Sequence, residues 1–396
     1  MLAVFNEDAI SKMENKMQTY NLAATCTFGL EAIIADELRR LGYTDLTVEN
    51  GYVQFKGTDY DIANCNINLR CADRVFIRMG SFYAADFGEL FNGTFDIPWE
   101  DFIPENGVMH VVGKSVKSTL HSVPDCQSIV KKAVVKAMQR RYKCENFPED
   151  GPIFKIEISM LKDMATLSID TSGAGLHKRG YREQGGEAPL RETLAAAIVM
   201  LSRWRPGRVL ADPMCGSGTI PIEAALYGMN IAPGIKRSFV SESWPFIDAS
   251  VWERVRDAAI AAVRNESVII LASDNDRFVF RKAKENAERA GVAEYIDFQR
   301  RPVEEFSSAQ KFGCIITNPP YGERMGSKDD IVPLYTEMGE VFRRLDSWSY
   351  FIITAYEEFE KVFRKKADKN RKLYNGNIKT YLYQYFGPLP PRKKES

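Results

Sequence analysis

The stretch VLADPMCGSGT, residues 209–219, decides the fold of this chain of 396 residues. It predicts a short buried strand that ends at Asp212, then a tight loop and the start of a helix. Gly216 and Gly218 allow the backbone to approach a ligand closely, and the first helical turn offers free N–H groups. No lysine follows Gly218, which excludes a phosphate-binding P-loop, and Pro221 weakens a dinucleotide fingerprint. The pattern Asp-x-x-x-Gly-x-Gly is instead typical of an S-adenosylmethionine site.

An acidic residue ends the next predicted strand, VIILASD at residues 268–274. Considered alone, Asp274 would more often be the N-cap of a helix. It stands one strand after the glycine loop, however, where a carboxylate can accept charge-assisted hydrogen bonds from ribose hydroxyls. This position favours a ribose-binding role for Asp274.

The sequence TNPPY, residues 317–321, follows the apolar run CII and offers a site for a planar exocyclic amine. The side-chain carbonyl of Asn318 and the backbone carbonyl of Pro319 can accept both N–H bonds of such an amine. Two consecutive prolines fix φ and remove backbone donors, which stiffens the turn. The ring of Tyr321 can stack on the base that carries the amine. The alternative is an ordinary turn, because Asn and Pro are common turn residues.

Several motifs together point to one family. They are HSVPDCQ at residues 121–127, HKRGYR at 177–182, APLRET at 188–193, DPMCGSGT at 212–219, SD at 273–274 and NPPYGER at 318–324. The combination resembles the THUMP-domain class I RNA methyltransferases, especially the RlmL branch that methylates guanine N2 in bacterial 23S rRNA. The resemblance extends from about Met17 to the C-terminus. One departure is Pro302, where many relatives have an aspartate that binds the adenine amine, so Glu304 or a backbone group would have to replace it.

The resemblance implies a set of site residues. Those expected to be catalytic are Asn318, Pro319, Pro320 and Tyr321. Those expected to bind the cofactor are Pro189, Leu190, Asp212, Pro213, Cys215, Gly216, Ser217, Gly218, Thr219, Asp274, Asn275 and Asn318. Those expected to bind RNA are Lys114, Lys117, His121, Lys131, Lys132, Lys136, Lys178, Arg179, Arg182 and Arg324. The implied cofactor is S-adenosylmethionine and the implied partner is RNA, with no metal, membrane or obligate protein partner.

The order of predicted strands and helices divides the chain into modules, and the resemblance implies what each of them is. They are an N-terminal extension at 1–16, part of a small ferredoxin-like α+β module at 17–58, a THUMP RNA-binding domain at 59–170, a linker at 171–187 and an α/β, Rossmann-like class I methyltransferase domain at 188–390. Asn375 and Gly376 predict an antiparallel hairpin at the end of that domain, which favours a methyltransferase over a dehydrogenase. Within the insertion at 228–262, Trp244 and Trp252 either cover the cofactor or pack in a satellite core.

Basic residues are concentrated in one stretch of a chain whose formal net charge is zero. Between Lys114 and Lys143 there are eight Lys and Arg residues and one acidic residue, Asp125, which we expect to be the N-cap of a helix that ends at Tyr142. Charge runs are usually solvated helix faces, but such faces also supply phosphate contacts. We expect this helix to contact RNA.

Two further basic sites leave alternatives open. In the linker, Lys178, Arg179 and Arg182 flank Tyr181 and either clamp an RNA backbone or join the domains through ion pairs. Arg324, next to the TNPPY turn, either contacts a substrate phosphate or pairs with an acidic neighbour.

The composition excludes several classes of protein. No apolar run approaches the length of a membrane span, and the N-terminus lacks the basic start of a signal peptide. Seven cysteines without C-x-x-C spacing favour reduced cytoplasmic thiols, and three scattered histidines argue against a zinc site.

These observations predict a cytoplasmic, S-adenosylmethionine-dependent RNA methyltransferase that forms N2-methylguanosine in 23S rRNA. A tRNA guanine-N2 methyltransferase, an adenine-N6 methyltransferase of nucleic acids and an enzyme acting on glutamine side chains are alternatives, because each target is a planar amine. A non-enzymatic RNA-binding ribosome assembly factor is a further alternative. The intact set of acidic, glycine and asparagine residues in the three motifs argues against it.

Overall fold

The structure of the protein is a computed structural model that describes residues 18–182, 190–321 and 328–391. The N-terminal extension at 1–16 and two predicted site residues, Pro189 and Arg324, lie outside the described residues. Within the described part, no helix is long and apolar enough to cross a membrane.

The N-terminal half is built on one mixed seven-stranded sheet with helices. Its strands are β1 (Tyr20–Thr25), β2 (Thr47–Glu49), β3 (Tyr52–Gly57), β4 (Arg74–Tyr83), β5 (Val108–Val116), β6 (Ile153–Leu161) and β7 (Met164–Asp170). Its helices are α1 (Glu31–Arg40), α2 (Asp59–Asn68), α3 (Phe87–Phe95) and α4 (Val123–Tyr142). The strand order is β2-β3-β1-β4-β7-β6-β5, in which β5 and β6 are parallel and the other neighbours are antiparallel.

Local sequence explains where the helices of this half begin. Asp61 and Thr58 form a capping box at the start of α2. The basic helix α4 begins after Ser122, with Pro124 in its first turn, where a proline is tolerated because its missing N–H would have no partner there. The prediction that Asp125 is the N-cap of α4 is therefore wrong. Asp125 lies inside the first turn, where its negative charge interacts favourably with the helix dipole.

The C-terminal half contains a second seven-stranded sheet. Its strands are β8 (Val209–Asp212), β9 (Ile269–Asp274), β10 (Ile296–Arg300), β11 (Cys314–Thr317), β12 (Ser349–Thr354), β13 (Lys369–Asn375) and β14 (Ile378–Tyr385). Its helices are α5 (Glu192–Leu201), α6 (Thr219–Gly228), α7 (Ala249–Ala261), α8 (Arg277–Ala290), α9 (Lys328–Arg343) and α10 (Phe359–Phe363). The order is β10-β9-β8-β11-β12-β14-β13, and β14 runs antiparallel to both of its neighbours. This confirms the Rossmann-like α/β sheet with a terminal antiparallel hairpin.

The central strands of this sheet position the candidate site. Every residue of β8, β11 and β12 is buried, as expected for parallel strands that are covered on both faces. The strand order reverses between β8 and β11, and ligands of such sheets bind outside the carboxyl ends of the strands at this point. Asp212 and Thr317 end these two strands, and Asp274 ends β9 beside them.

The insertion between α6 and β9 packs against the N-terminal half. The ring of Trp244 stacks on Phe154 of β6, with centroids 4.8 Å apart, and its Nε1 donates to the carbonyl of Ile153 over 2.9 Å. Trp252 stacks on Phe239 within the insertion at 5.4 Å. Both tryptophans belong to a hydrophobic core that is continuous across the two halves, as the satellite-core alternative predicts.

Candidate active site

The glycine loop is fastened to the end of β9. The backbone N–H of Cys215 donates to the carbonyl of Ser273 over 2.9 Å, and that of Gly216 donates to Oδ2 of Asp274, also over 2.9 Å. Gly216 has φ of 54° and Gly218 has φ of 81°, a left-handed conformation that other residues adopt only with strain. The loop thus holds its shape because glycine occupies these two positions.

The two glycines have different surroundings. A Cβ atom built on Gly216 would meet nothing within 4 Å, whereas one on Gly218 would lie 3.2 Å from the Cβ of Ala283 in α8. The sequence assigned both glycines to the approach of a ligand. Only Gly216 faces open space, and Gly218 allows the loop to pack against α8.

Asp274 is not the N-cap of a helix, which was the alternative to its ribose-binding role. Asp276 is the N-cap of α8, since its Oδ1 accepts the N–H groups of Phe278 and Val279. The half-buried carboxylate of Asp274 accepts N–H bonds from Gly216 and Asp276, and burial raises its pKa. An acidic side chain therefore stands beside the glycine loop, where hydroxyl groups of a ligand can reach it.

Asp212 joins β8 to β11. Its Oδ1 accepts the hydroxyl of Thr317 over 2.7 Å and the N–H of Met214 over 3.3 Å. The residue is 1% exposed, and burial raises its pKa to about 7, opposed by these two hydrogen bonds. The sequence did not single out Thr317, whose position one residue before Asn318 was the available signal.

The TNPPY turn presents one acceptor without a partner. Oδ1 of Asn318 is buried and makes no hydrogen bond to the described residues. Buried polar atoms are nearly always paired, so this atom fits an N–H group of a ligand. The carbonyl of Pro320 is already used, because Tyr335 donates its hydroxyl to it over 2.9 Å. Tyr321 is only 6% exposed, so stacking of its ring on a base requires a local movement.

The remaining residues assigned to the cofactor surround the same loop. Asn286 donates to the carbonyl of Ser217 over 2.9 Å, and Arg182 donates to the hydroxyl of Thr219 over 3.4 Å and to the carbonyl of Leu190 over 3.2 Å. Pro213 and Cys215 are buried, while Asn275 is exposed. Near Pro302, Glu304 lies exposed in the turn that follows β10.

Half of the basic residues near α4 are less available to RNA than the sequence suggested. Four of the eight form ion pairs with acidic residues from other segments. The pairs are Lys114–Glu157, Lys131–Glu149, Arg140–Glu100 and Arg141–Asp101. Lys117, Lys132 and Lys136 are exposed, as is His121, whose Nδ1 lies 3.0 Å from the carbonyl of Thr119. The acidic partners are distant in sequence, which explains why a local count overstated the basic character of this face.

Arg179 and Arg182 of the linker join the domains through ion pairs, which was one of the two alternatives for these residues. Arg179 is buried and pairs with Glu223 of α6, and Arg182 pairs with Glu192 of α5, whereas Lys178 is exposed. Burial removes Arg179 from the set that can contact RNA. Sequence analysis missed the two glutamates, although an acidic residue within an apolar helix is a signal that a buried cation lies nearby.

The residues of this site fit a methyl donor that carries a nucleoside. An open glycine loop, a half-buried carboxylate and an unpaired amide oxygen meet at the carboxyl edge of a doubly wound sheet whose last strand is antiparallel. Fold and site together define a class I methyltransferase.

Comparisons with known proteins identify the family. Sequence models match the RlmL ferredoxin-like domain at residues 21–76, the THUMP domain at 84–170 and the RMKL-like methyltransferase domain at 179–384. YpsC of Bacillus subtilis (strain 168), a candidate RNA methyltransferase, is 49% identical over 383 residues, which span 96% of this chain and 99% of YpsC.

Two solved structures are similar over nearly the whole chain. One is described as a predicted N6-adenine-specific DNA methylase from Listeria monocytogenes str. 4b F2365, with 50% identity, a TM-score of 0.89 and coverage of 94% of this chain and 97% of that one. The other, the candidate methyltransferase SMU.472 in complex with SAH, has 45% identity, a TM-score of 0.89 and coverage of 94% and 100%. The chain therefore belongs to the THUMP-domain class I RNA methyltransferases of the RlmL-like family, and its cofactor is S-adenosylmethionine.

Proposed function

We propose that the protein methylates the exocyclic N2 amine of a guanosine in 23S rRNA, in the cytoplasm. The observation that carries this proposal is the buried, unpaired Oδ1 of Asn318 at the carboxyl end of β11. An acceptor in this place suits a planar amine with two N–H bonds, of which Asn318 takes one and the backbone carbonyl of Pro319 takes the other.

The residues of the turn orient the acceptor amine. When both N–H bonds are held, the lone pair of the nitrogen is drawn out of conjugation with the ring. S-adenosylmethionine supplies, when bound, an electrophilic methyl group. Proximity and orientation account for most of the acceleration, and the amine loses its proton only after it has become cationic, so no strong base acts beforehand. The target base is taken out of its stack, and the Tyr321 ring supports it after a local movement.

The cofactor is held by residues around the glycine loop. Asp274 accepts the ribose hydroxyls, and Gly216 leaves space for the ligand to lie close to the backbone. Leu190 and Thr219 contact the same guanidinium of Arg182, which supports a role for both beside the loop.

The N-terminal modules support the proposal that the substrate is RNA. The THUMP and RlmL-type matches cover residues 84–170 and 21–76, and the relative YpsC is named as a candidate RNA methyltransferase. The resemblance of the sequence motifs to the RlmL branch favours guanine N2 and 23S rRNA, and the match to the RlmL ferredoxin-like domain is consistent with that branch. Adenine N6 is the second candidate, because the Listeria relative is described as an N6-adenine-specific methylase, and tRNA is an alternative substrate.

The test is mass spectrometry of nucleosides from a strain that lacks the gene. Ribosomal RNA and tRNA are separated before digestion, and the deletion strain is complemented with the parental gene or with Asn318→Ala. We expect N2-methylguanosine in 23S rRNA to fall by one residue per ribosome and to return only with the parental gene. Loss of N6-methyladenosine, or loss confined to tRNA, would support one of the alternatives instead. Unchanged nucleosides in all fractions would favour the assembly factor.

A further inference from the structure

Residues 171–182, the described part of the segment that connects the two sheets, are held in place by contacts with both halves of the chain. At its start, Thr171 donates its hydroxyl to the carbonyl of Val75 over 2.7 Å, and Ser172 donates to Oδ1 of Asn66 over 2.6 Å. The N–H of Leu176 then donates to the carbonyl of Asp73 over 2.8 Å. Residues 171–176 are thereby fixed to the N-terminal half.

Residues 179–181 are fixed to the methyltransferase half. The guanidinium of Arg179 faces the carboxylate of Glu223 at 3.4 Å, with side chains that are 3% and 0% exposed. Tyr181 donates its hydroxyl to the same carboxylate over 3.0 Å. Glu223 lies on α6, one turn after Thr219, which is the first residue of that helix and directly follows the glycine loop.

Arg182 contacts the start of α6, directly after the glycine loop. Its Nε and Nη2 face the two carboxylate oxygens of Glu192 at 2.8 and 2.7 Å. Its Nη1 donates to the hydroxyl of Thr219 over 3.4 Å and to the carbonyl of Leu190 over 3.2 Å. One planar guanidinium thus joins the first turn of α5 to the first turn of α6, a geometry that a single ammonium group cannot reproduce.

We propose that Arg182 is a positioning residue for the cofactor: acting through Thr219 and Glu192, it fixes the start of α6 and with it the conformation of the glycine loop. This inference rests on the cofactor site proposed above. Its consequence is that cofactor affinity depends on Arg182, while the rate of methyl transfer at saturating cofactor does not.

The test compares Arg182→Gln and Arg182→Lys with a matched control. Arg256→Gln also removes a partly buried arginine, 25% exposed and 2.7 Å from Glu242, but it lies on α7 in the insertion. We expect Arg182→Gln to weaken SAH binding in calorimetry by about tenfold, a loss of roughly 1.4 kcal/mol. Arg182→Lys should give an intermediate loss, because it keeps the charge beside Glu192, and Arg256→Gln should bind SAH as the parent does.

Two further measurements separate positioning from general stability. Hydrogen exchange of the amides of residues 216–220, followed without cofactor, should accelerate in Arg182→Gln and not in Arg256→Gln. Thr219→Val should weaken SAH binding alone but add little in combination with Arg182→Gln, since both remove the same contact. The KM for S-adenosylmethionine should rise in Arg182→Gln, with kcat nearly unchanged.

Several outcomes would overturn the proposal. Parental SAH affinity in folded Arg182→Gln, or in Arg182→Lys if the glutamine variant does not fold, would reduce Arg182 to an ordinary structural ion pair. Additive losses in the double variant would show that it does not act through Thr219. If the parental protein itself fails to bind SAH, the proposed cofactor site fails first, which is a distinguishable result.

Discussion

Thr317 donates its hydroxyl to Oδ1 of Asp212 over 2.7 Å and so joins the carboxyl ends of the two central strands, β11 and β8. Both residues are essentially inaccessible to solvent. Burial raises the pKa of Asp212 to about 7, and this hydrogen bond opposes the rise. A carboxyl group at the base of the cofactor loop therefore titrates close to neutral pH.

This raised pKa predicts a pH dependence of stability. The pKa of Asp212 is about 7 in the folded chain and about 4 in the unfolded chain, so the folded state binds the proton more tightly. The tighter binding of this proton stabilises the folded state; the stabilisation is complete below about pH 4 and is lost as the pH rises through 7. In Asp212→Asn the side chain is neutral at every pH, so the variant should not lose stability as the pH rises through 7. The free energy of unfolding of the variant relative to the parent should therefore increase by up to about 4 kcal/mol between pH 4 and 7. Urea unfolding at a series of pH values measures this difference, and a constant difference would contradict the assignment.

Gly216 and Gly218 provide a matched pair of substitutions in the loop. Alanine at either position adopts a left-handed conformation at a cost of about 1–2 kcal/mol. Gly218→Ala should lose further stability, because its Cβ would lie 3.2 Å from Ala283. Gly216→Ala meets no protein atom within 4 Å, so we expect it to lose mainly SAH affinity, by tenfold or more. Urea unfolding and calorimetry of the two variants measure this contrast. Parental SAH affinity in Gly216→Ala would show that the cofactor lies elsewhere.

Local patterns predicted the fold and the frame of the site well. The two strands predicted to end at Asp212 and at Asp274 end there, and the glycine loop, Asp274 and the TNPPY turn lie at neighbouring strand ends as parallel topology requires. These features depend on glycine and proline positions and on apolar periodicity within short windows. The sequence contains them directly.

Partners that are distant in sequence could not be predicted in this way. Arg179 pairs with Glu223, 44 residues away, and Lys131 of α4 pairs with Glu149 in the segment between α4 and β6. The sequence shows the charges, but only the fold decides which of them neutralise each other. The same holds for Gly218, whose neighbour Ala283 lies on another helix.

The exposed lysines of α4 test the RNA interface. Lys132 and Lys136 are exposed and form no ion pair with the described residues, whereas Lys131 is held by Glu149 at 2.9 Å. Replacing both by glutamine should weaken RNA binding and reduce the slope of log K against log salt by about 1.4–1.8, if each contacts one phosphate. Filter binding at several salt concentrations measures the slope.

A control of equal charge accompanies that experiment. Lys365→Gln combined with Lys366→Gln removes two exposed charges that precede β13, an edge strand of the C-terminal sheet. This variant should bind RNA with the parental salt slope. If both double variants change the slope equally, net charge rather than a defined face of α4 governs binding.

Asn318→Ala tests the chemistry of the proposed site most directly. The substitution removes the buried acceptor Oδ1 and leaves both prolines and Tyr321 in place. Loss of one oriented polar contact in a closed site costs about 2–4 kcal/mol in the transition state, so transfer should slow by about a hundredfold or more. Affinity for SAH should survive in Asn318→Ala, because Asn318 contacts the substrate amine more than the cofactor, and Asn318→Asp, which retains the acceptor oxygen, should keep more activity than the alanine variant. Single-turnover transfer of labelled methyl groups to ribosomal RNA fragments measures the rate. Transfer by Asn318→Ala at the parental rate would mean that TNPPY is only a turn.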